Sequence, residues 1–522
     1  MANRQLFQSS AGAMLPPADS VNSEGAPAYR FSARNALAQY AATGCFSRTF
    51  YATAEEQLAK VVELTGETTP EFIARTALFC RREGRMKDMP ALLCAVLSVR
   101  GPGLLAEIFD RVINTPRMLR NFVQIMRSGA VGRRSLGSLP KRLVENWLAA
   151  RDDEILFAAS IGTNPSMADI IRMVHPRPAT ASRNALLAYL IGRPHREADL
   201  PEMVRQFERF KRDPAAPMPD VPFQKLAGLP LTREHWRVLA LRGTWQMVRM
   251  NLNTFARHGV FDSQEAAAAV AARLADKETI DRVRPFPYQL LATWSNLAPG
   301  IPAQVRAAVQ DAVEMSLGSV PRLPGKIYIC VDVSRSMHSP VTGSAGGVSS
   351  KMRCIDVAAF FAAAIVRKNP DAEVLAFSED ARRVAIHPRD SVTTNAALLA
   401  SLPAGGTNCS AALGELNRAQ ARGDMVIFVS DYESWLDAPA SGRPTSGRTE
   451  MMAQWARFRS RNADGKLVAI DLQPNCTTQV AERPDVLNIG GFSDAVFDLL
   501  ALYAEGRLHG DHWIGVIESQ RI

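Results

Sequence analysis

Two hydrophobic patterns divide the chain, and the change between them falls at about residue 320. Before this point, apolar residues recur at spacings of three and four, which is the period of helices that bury one face. After it, short continuous apolar runs alternate with helical segments, a pattern typical of a buried, mostly parallel sheet. A chain of 522 residues is also too long for one ordinary core. We therefore predict a helical domain followed by an α/β domain.

The first part is predicted to be a succession of helices joined by short connections that contain Pro, Gly and Asn. The predicted helices are 54–64, 70–82, 89–97, 104–114, 118–127, 139–150, 167–173, 182–190, 202–211, 234–249, 263–277, 287–295 and 303–317. Helix pairs stacked in order would form a solenoid, although no fixed sequence period is present. Residues 1–28 are rich in Ser, Pro, Ala and Gly and are predicted to be a loose leader, which places the helical domain at 29–320.

The second part, residues 321–522, is predicted to be an α/β domain of Rossmann-like design. The predicted strands are 327–331, 373–377, 382–386, 426–430, 467–471 and 486–489, and the predicted helices are 354–367, 411–422, 451–459 and 493–503. Strand 382–386 is the best candidate for an antiparallel edge, and 512–517 is a candidate for a further strand. The Gly- and Ser-rich stretches 340–351 and 438–449 are predicted loops.

Several classes of protein are disfavoured by composition. The sequence has no run of eighteen apolar residues and no signal-type N-terminus, so we expect no membrane span and a cytoplasmic protein. The seven cysteines are widely spaced without a C-x-x-C pair, which argues against a zinc knuckle or a disulfide framework.

The positive charge is concentrated in the first part. Residues 1–320 hold 40 Lys and Arg against 30 Asp and Glu, whereas residues 321–522 hold 21 against 22. A basic domain joined to a nearly neutral one indicates that the basic domain has a polyanionic partner.

Oxygen-bearing side chains follow two of the predicted strands. A D-x-S-x-S sequence follows strand 327–331, a threonine lies in a Gly-rich loop, and an aspartate ends strand 426–430. The candidate ligands are Asp332, Ser334, Ser336, Thr407 and Asp431. Parallel strands present such residues at one sheet edge, and the set suits a hard divalent cation such as Mg²⁺.

The order of these five residues resembles the metal-ion-dependent adhesion site of a von Willebrand factor A domain. Alternatives remain, because D-x-S-x-S alone is commonly turn chemistry. An aspartyl nucleophile at Asp332 is a second alternative, but phosphatases of that type carry another carboxylate two residues on, where this chain has Ser334. We therefore predict no catalytic residue.

A second set of candidates lies in a strongly basic window. Between Asp110 and Glu145 the chain has eight basic residues and no acidic one. The segment I-I-R-M-V-H-P-R follows at 170–177. The candidate RNA-binding residues are Arg133, Arg134, Lys141, Arg142, Arg172 and His175. Arginine binds phosphate through two donors, and a histidine can stack on a base. The alternative is a solvated helix face with a capping histidine.

These segments resemble the TROVE domain of the Ro autoantigen family. The basic stretch G-R-R-S-L-G-S-L-P-K-R-L-V-E-N-W at 132–147 and the segments 245–255 and 284–288 add to the resemblance, which covers about residues 28–515. It implies a HEAT-like α-helical repeat ring followed by a von Willebrand A domain. One departure is the stretch 152–171, which has no Lys or Arg where family members are expected to have some.

The resemblance also implies a function. Members of the family are ribonucleoproteins that bind small non-coding Y RNA and the single-stranded 3′ ends of misfolded or partly processed RNA. They act in RNA quality control, processing or decay, in bacteria often with an exoribonuclease. We expect a non-enzymatic RNA-binding protein with a Mg²⁺ site that could take a carboxylate from an acidic protein partner. The alternative is a metal-dependent protein-interaction scaffold whose main ligand is not RNA.

Overall fold

The structure is a computed structural model. It describes residues 17–43, 51–84, 86–162, 164–285, 287–341, 344–345, 348–349, 352–434, 448–473, 475–491, 495–507 and 512–522. Among these residues, no helix has both the length and the apolar character needed to cross a membrane.

Helices dominate the chain up to about residue 320, and strands appear mainly after it. The helices are α1 (Ala33–Thr43), α2 (Ala54–Gly66), α3 (Pro70–Arg82), α4 (Asp88–Arg100), α5 (Pro102–Val112), α6 (Pro116–Ser128), α7 (Ser138–Ala150), α8 (Asp153–Ala159), α9 (Met167–Val174), α10 (Ala181–Leu190), α11 (Glu202–Arg212), α12 (Phe223–Leu226), α13 (Arg233–Arg242), α14 (Trp245–Met250), α15 (Leu252–Arg257), α16 (Gln264–Leu274), α17 (Lys277–Val283), α18 (Pro287–Ser295), α19 (Ala303–Ser316), α20 (Cys354–Lys368), α21 (Val392–Ala400), α22 (Ala411–Arg418), α23 (Glu450–Arg461), α24 (Ala495–Ala504) and α25 (His512–Glu518). The strands are β1 (Ser20–Val21), β2 (Pro27–Arg30), β3 (Ile327–Asp332), β4 (Ser344–Ala345), β5 (Val348–Ser349), β6 (Glu373–Phe377), β7 (Ala381–Val384), β8 (Met425–Ser430), β9 (Lys466–Asp471), β10 (Thr477–Thr478) and β11 (Val486–Gly490).

The described residues form two compact units. The helical unit comprises those within 69–284, 296–312 and 520–522, and the sheet unit comprises those within 1–68, 285–295 and 313–519. This grouping differs from the predicted boundaries at residues 28 and 320, because the first 68 positions and a short segment before 296 group with the sheet.

The helical unit is built on α4, which is buried from Met89 to Ser98. Helices α3, α5 and α6 pack against it. Threonines begin two of these neighbours: the side chains of Thr69 and Thr115 accept hydrogen bonds from the first turns of α3 and α6. Such caps and the apolar spacing explain why the predicted bounds of these helices are close to the observed ones.

The sheet unit contains a six-stranded sheet in the order β11-β9-β8-β3-β6-β7. All neighbours are parallel except β7, which pairs antiparallel with β6, so the predicted antiparallel edge strand is confirmed. The two central strands, β3 and β8, are buried along their whole length, as expected for a sheet covered on both faces. The predicted combination of a helical region and an α/β domain is confirmed.

The prediction of a strand at 512–517 is wrong. These residues begin helix α25, which packs on α1 instead of joining the sheet. A short apolar run fits either structure, and its packing partner decides between them. Of the two predicted loops, 340–351 contains the short antiparallel ribbon β4–β5. In the other, positions 438–447 lie outside the described residues.

From Ser20 onward, the N-terminal region contains strands, where a loose leader was predicted. Strands β1 and β2 pair antiparallel, and β2 also pairs with β10, with Arg30 opposite Thr477. Ser20–Val21 and Pro27–Arg30 therefore contribute strand structure to the sheet unit.

One ion-pair cluster in the sheet unit gives a testable stability prediction. The Asp485 carboxylate accepts hydrogen bonds from Trp455 Nε1 at 2.9 Å and Arg483 Nε at 2.8 Å, and it pairs with Arg459 Nη1 at 3.0 Å. Burial raises the pKa of Asp485, but the contacts with Arg483 and Trp455 outweigh it and hold the pKa below its usual value. We expect Asp485→Asn to lower the free energy of unfolding at pH 7 by about 2 kcal/mol.

The pH dependence has a definite sign. A carboxyl whose pKa is lowered in the folded protein stabilises the fold at pH values above its ordinary pKa of about 4. This stabilisation is lost as the pH falls through the lowered pKa of the folded protein. The difference between wild type and Asp485→Asn in urea denaturation should therefore shrink at about pH 3. The exposed Asp464→Asn is the control. A difference that persists in acid would contradict the assignment.

Candidate functional sites

Four of the five predicted metal ligands lie at or just after the carboxyl ends of the central strands, and the fifth, Thr407, lies in the loop between α21 and α22. Asp332 ends β3, and Asp431 follows β8 directly. The intervening loops are fixed by backbone hydrogen bonds from Val333 N to Phe377 O at 2.9 Å and from Arg335 N to Gly405 O at 3.1 Å. All five predicted ligands are buried: Asp332, Ser334, Ser336, Thr407 and Asp431.

The hydrogen bonds of this site leave one carboxylate oxygen unsatisfied. Asp332 accepts from Ser334 N at 2.8 Å and from Ser430 Oγ at 2.5 Å, and Ser334 Oγ lies 3.1 Å from Ser336 Oγ. Asp431 Oδ1 accepts from Glu433 N at 3.4 Å. Asp431 Oδ2 is buried and has no hydrogen-bond partner among the described residues. Such an oxygen is costly unless a cation or a proton satisfies it.

The electrostatics point the same way. Burial raises the pKa of Asp332, and hydrogen bonds from Ser430 and Ser334 offset part of this effect. Burial, followed by the charge of Asp332, raises the pKa of Asp431 well above its usual range, and a hydrogen bond with Ser336 offsets part of this rise. Two buried carboxylates with neighbouring hydroxyls therefore form a site that a divalent cation would neutralise.

Thr407, the last of the five predicted ligands, lines the same open cavity as Ser336. This cavity of about 310 Å³ is lined by Ser336 and Thr407 together with Arg335, Glu379, Glu24 and Tyr51. No cluster of three or more His, Cys, Asp or Glu side chains placed for a metal occurs in the described part of the chain. A cation here would therefore depend on the serine and threonine hydroxyls, which are oxygen donors suited to Mg²⁺.

Two of the predicted RNA-binding residues share a cavity in the helical unit. Lys141 and His175 line a cavity of about 680 Å³, together with Arg177 and Thr180. His175 ends α9 in a left-handed conformation, with φ of 53°, and its backbone N–H donates to Ile171 O as a helix cap. The cavity is thus bounded by α7, the end of α9 and the start of α10.

Two basic residues of the cavity region have different roles. Arg183 is held by Asp153 at 2.7 Å and donates to Leu148 O and Arg151 O, so it ties α10 to the end of α7. Lys141 and Arg177 make no ion pair with any described residue. They are the cations of this cavity that remain available to an anionic ligand.

The other predicted RNA-binding residues lie outside this cavity. Arg172 donates to Ile191 O at 2.7 Å, and Arg133 donates to Ser98 O at 2.8 Å, so each guanidinium supports a neighbouring backbone segment. Arg134 and Arg142 are exposed. The structure therefore places Lys141 and His175 in one cavity, whose lining does not include the remaining four.

Comparisons with known proteins bear on both sites. Residues 326–504 match the sequence profile of the Ro60 vWA domain. The RNA-binding protein RO60 of Deinococcus radiodurans is 26% identical to this chain over 531 residues, covering 93% of this chain and 95% of that protein. The predicted resemblance to the Ro family is confirmed. The crystal structure of the Deinococcus radiodurans RO (RSR) protein has the same fold, with a TM-score of 0.62 at 20% identity. It covers 91% of this chain and 100% of that chain.

Three residues near the vWA site were not predicted from sequence. Ser430 belongs to none of the predicted motifs, but the pairing of β3 with β8 brings its hydroxyl to Asp332. Glu24 and Tyr51 reach the mouth of the cavity from hundreds of residues away in sequence. Pairing of the two central strands could have indicated Ser430, whereas no local pattern indicates the other two.

Proposed function

We propose that this chain binds RNA through the cavity of its helical unit, as a non-enzymatic member of the Ro family. The observation that carries the proposal is the similarity to the RNA-binding protein RO60 over 93% of the chain. The excess of basic residues in positions 1–320 and the available cations Lys141 and Arg177 support it.

The chemistry of the cavity suits single-stranded RNA. Lys141 and Arg177 would contact phosphates, and the exposed ring of His175 would stack on an unpaired base. We propose that the ligands are small non-coding RNA of the Y RNA type and the 3′ ends of misfolded RNA. The role would be RNA quality control in the cytoplasm, with an exoribonuclease as a partner to be sought.

We further propose that the vWA domain holds Mg²⁺. Ser334, Ser336 and Thr407 would bind the ion directly, and Asp332 and Asp431 would bind it directly or through water. The unsatisfied oxygen of Asp431 supports this assignment. When bound, the ion would supply a Lewis-acidic position that takes an oxygen ligand such as a carboxylate. The serine at position 334, where a phosphatase would need a carboxylate, supports a binding role instead of catalysis.

Crosslinking in cells followed by sequencing of the bound RNA tests the RNA proposal. Wild type would be compared with Lys141→Ala/Arg142→Ala/His175→Ala and with the control Arg205→Ala/Arg212→Ala, whose arginines pair with Glu202 and Glu197. We expect discrete small RNAs or 3′ ends on wild type and on the control, and their loss on the triple variant. Little RNA on wild type, or no loss on the triple variant, would favour the protein-interaction alternative.

A further inference from the structure

The cavity of the helical unit has the size and the lining of a pocket for a nucleobase. Its volume of about 680 Å³ lies within the usual range for small-ligand sites, roughly 300–1,000 Å³. Apolar side chains form part of its wall, among them Leu148, Val174 and Leu187. The faces of an unpaired base can pack against such a wall, whereas its polar edge needs hydrogen-bond partners. The polar side chains of the wall therefore decide which base is accepted.

Glu145 occupies the middle of the wall that α7 contributes. Lys141 lies one helical turn before it, and Ala149 lies one turn after it. All three residues line the cavity. Because residues four apart on a helix share a face, the side chain of Glu145 lies between the ammonium group of Lys141 and the apolar end of this wall.

The Glu145 carboxylate makes no ion pair with any described residue. Arg183, another cation of the cavity lining, is already paired with Asp153 at 2.7 Å. Lys141 comes four residues before Glu145, which is the less favourable order for an ion pair on a helix, and the two side chains do not pair. The carboxylate oxygens therefore remain available to accept hydrogen bonds from a ligand.

We propose that Glu145 reads the Watson–Crick edge of a guanine in the single-stranded RNA that this cavity binds. The proposal rests on the proposed binding of RNA and adds a base preference to it. A carboxylate accepts hydrogen bonds and donates none, so it selects bases that present N–H groups. Guanine presents two neighbouring donors, N1–H and the N2 amino group, which match the two oxygens of one carboxylate. Adenine, cytosine and uracil each present one donor group on this edge.

Charge repulsion means that Glu145 can contact a base but not the RNA backbone. The carboxylate repels phosphate, whereas Lys141 and Arg177 attract it. The Watson–Crick edge of a nucleotide lies at the far end of the base from its phosphate. A nucleotide whose phosphate contacts Lys141 or Arg177 can therefore turn this edge toward Glu145, and the exposed ring of His175 is available for stacking.

The test compares three RNA hairpins that differ only in a single-stranded 3′ tail. The tail alternates adenosine with guanosine in the first RNA, alternates adenosine with inosine in the second, and contains only adenosine in the third. Inosine keeps N1–H but lacks the N2 amino group, so it removes one of the two proposed hydrogen bonds. In fluorescence anisotropy with the full-length protein, the guanosine tail should bind about tenfold more tightly than the inosine tail. The adenosine tail should bind no more tightly than the inosine tail.

Glu145→Gln should remove this preference. Glutamine keeps the shape of the side chain, but its amide nitrogen is a donor that would face a donor of guanine. We expect the ratio of the affinities for the guanosine and inosine tails to fall from about ten to about one, while the variant still binds the adenosine tail. Glu154→Gln is the matched control, because it removes the same charge from an exposed residue of the helical unit outside the cavity lining. The control should keep the tenfold ratio.

The base preference and the RNA site fail in different ways. If wild type binds none of the three RNAs, the proposed binding of RNA is wrong, and the role of Glu145 is wrong with it. If wild type binds all three equally and Lys141→Ala/Arg177→Ala weakens binding, the RNA site stands and only the reading of guanine is excluded. A preference that Glu145→Gln keeps, or that Glu154→Gln also loses, would overturn the role of Glu145 as well.

Discussion

Asp431→Asn is expected to abolish Mg²⁺ binding while leaving the metal-free protein at least as stable as wild type. The carboxylate of Asp431 is fully buried, and its Oδ2 has no hydrogen-bond partner among the described residues. Its removal takes away a charged ligand of the proposed cation, with an expected loss in affinity of at least about a hundredfold. In the absence of the cation, the same substitution removes a carboxyl whose charged form is disfavoured by burial, which is a cost to the folded state.

Thermal unfolding with and without Mg²⁺ measures both effects. At about a hundred times the dissociation constant, Mg²⁺ should stabilise wild type by about 2.7 kcal/mol, and it should leave the variant unchanged. Asp464→Asn, an exposed aspartate in the sheet unit, should respond as wild type does. A variant that loses stability without metal would show that Asp431 has a structural partner instead of a cation.

Lys141→Ala/Arg177→Ala is expected to weaken RNA binding by about a hundredfold at about 0.1 M salt, because each side chain would neutralise a phosphate. The plot of the logarithm of affinity against the logarithm of salt concentration has a negative slope. In the variant this slope should become shallower by about 1.4, the value for two phosphate contacts on a single strand. Both side chains line one cavity, so both contacts would be made by one stretch of RNA.

The measurement is fluorescence anisotropy of a labelled RNA hairpin with a single-stranded 3′ tail, repeated over a range of salt concentrations. Arg205→Ala/Arg212→Ala removes the same charge from exposed ion pairs elsewhere in the helical unit and should change affinity little. Equal losses from both double variants would indicate a diffuse charge effect, and the cavity would then not be the binding site.

The proximity of the candidate metal ligands could be predicted because a parallel sheet collects the ends of its strands at one edge. Asp332 and Asp431 each follow an apolar run, so their strand positions could be read from the sequence alone. The position of Glu24 in the lining of the cavity beside them could not be predicted. The turn that carries it is positioned by hydrogen bonds to Glu433 and Ser434, and contacts over about 400 residues leave no periodic pattern in either segment.

The composition of the basic window can be read from the sequence, but the directions of its side chains cannot. Lys141 lies in the cavity with His175, whereas Arg133 and Arg172 donate to backbone carbonyls of their own unit. An arginine has five donors, and whether phosphate or a carbonyl receives them depends on which helix end lies nearby in space. Sequence spacing does not contain that information.

The pairing of β2 with β10 has a consequence for how the protein is made. The two strands lie about 450 residues apart, so at about 5–20 residues per second roughly 20–90 s of synthesis separate them. Most of the helical unit emerges from the ribosome in this interval. Strand β2 can pair with β1 at once, but its other edge is among the last to find a partner, and until β10 is made that edge is accessible to chaperones and proteases.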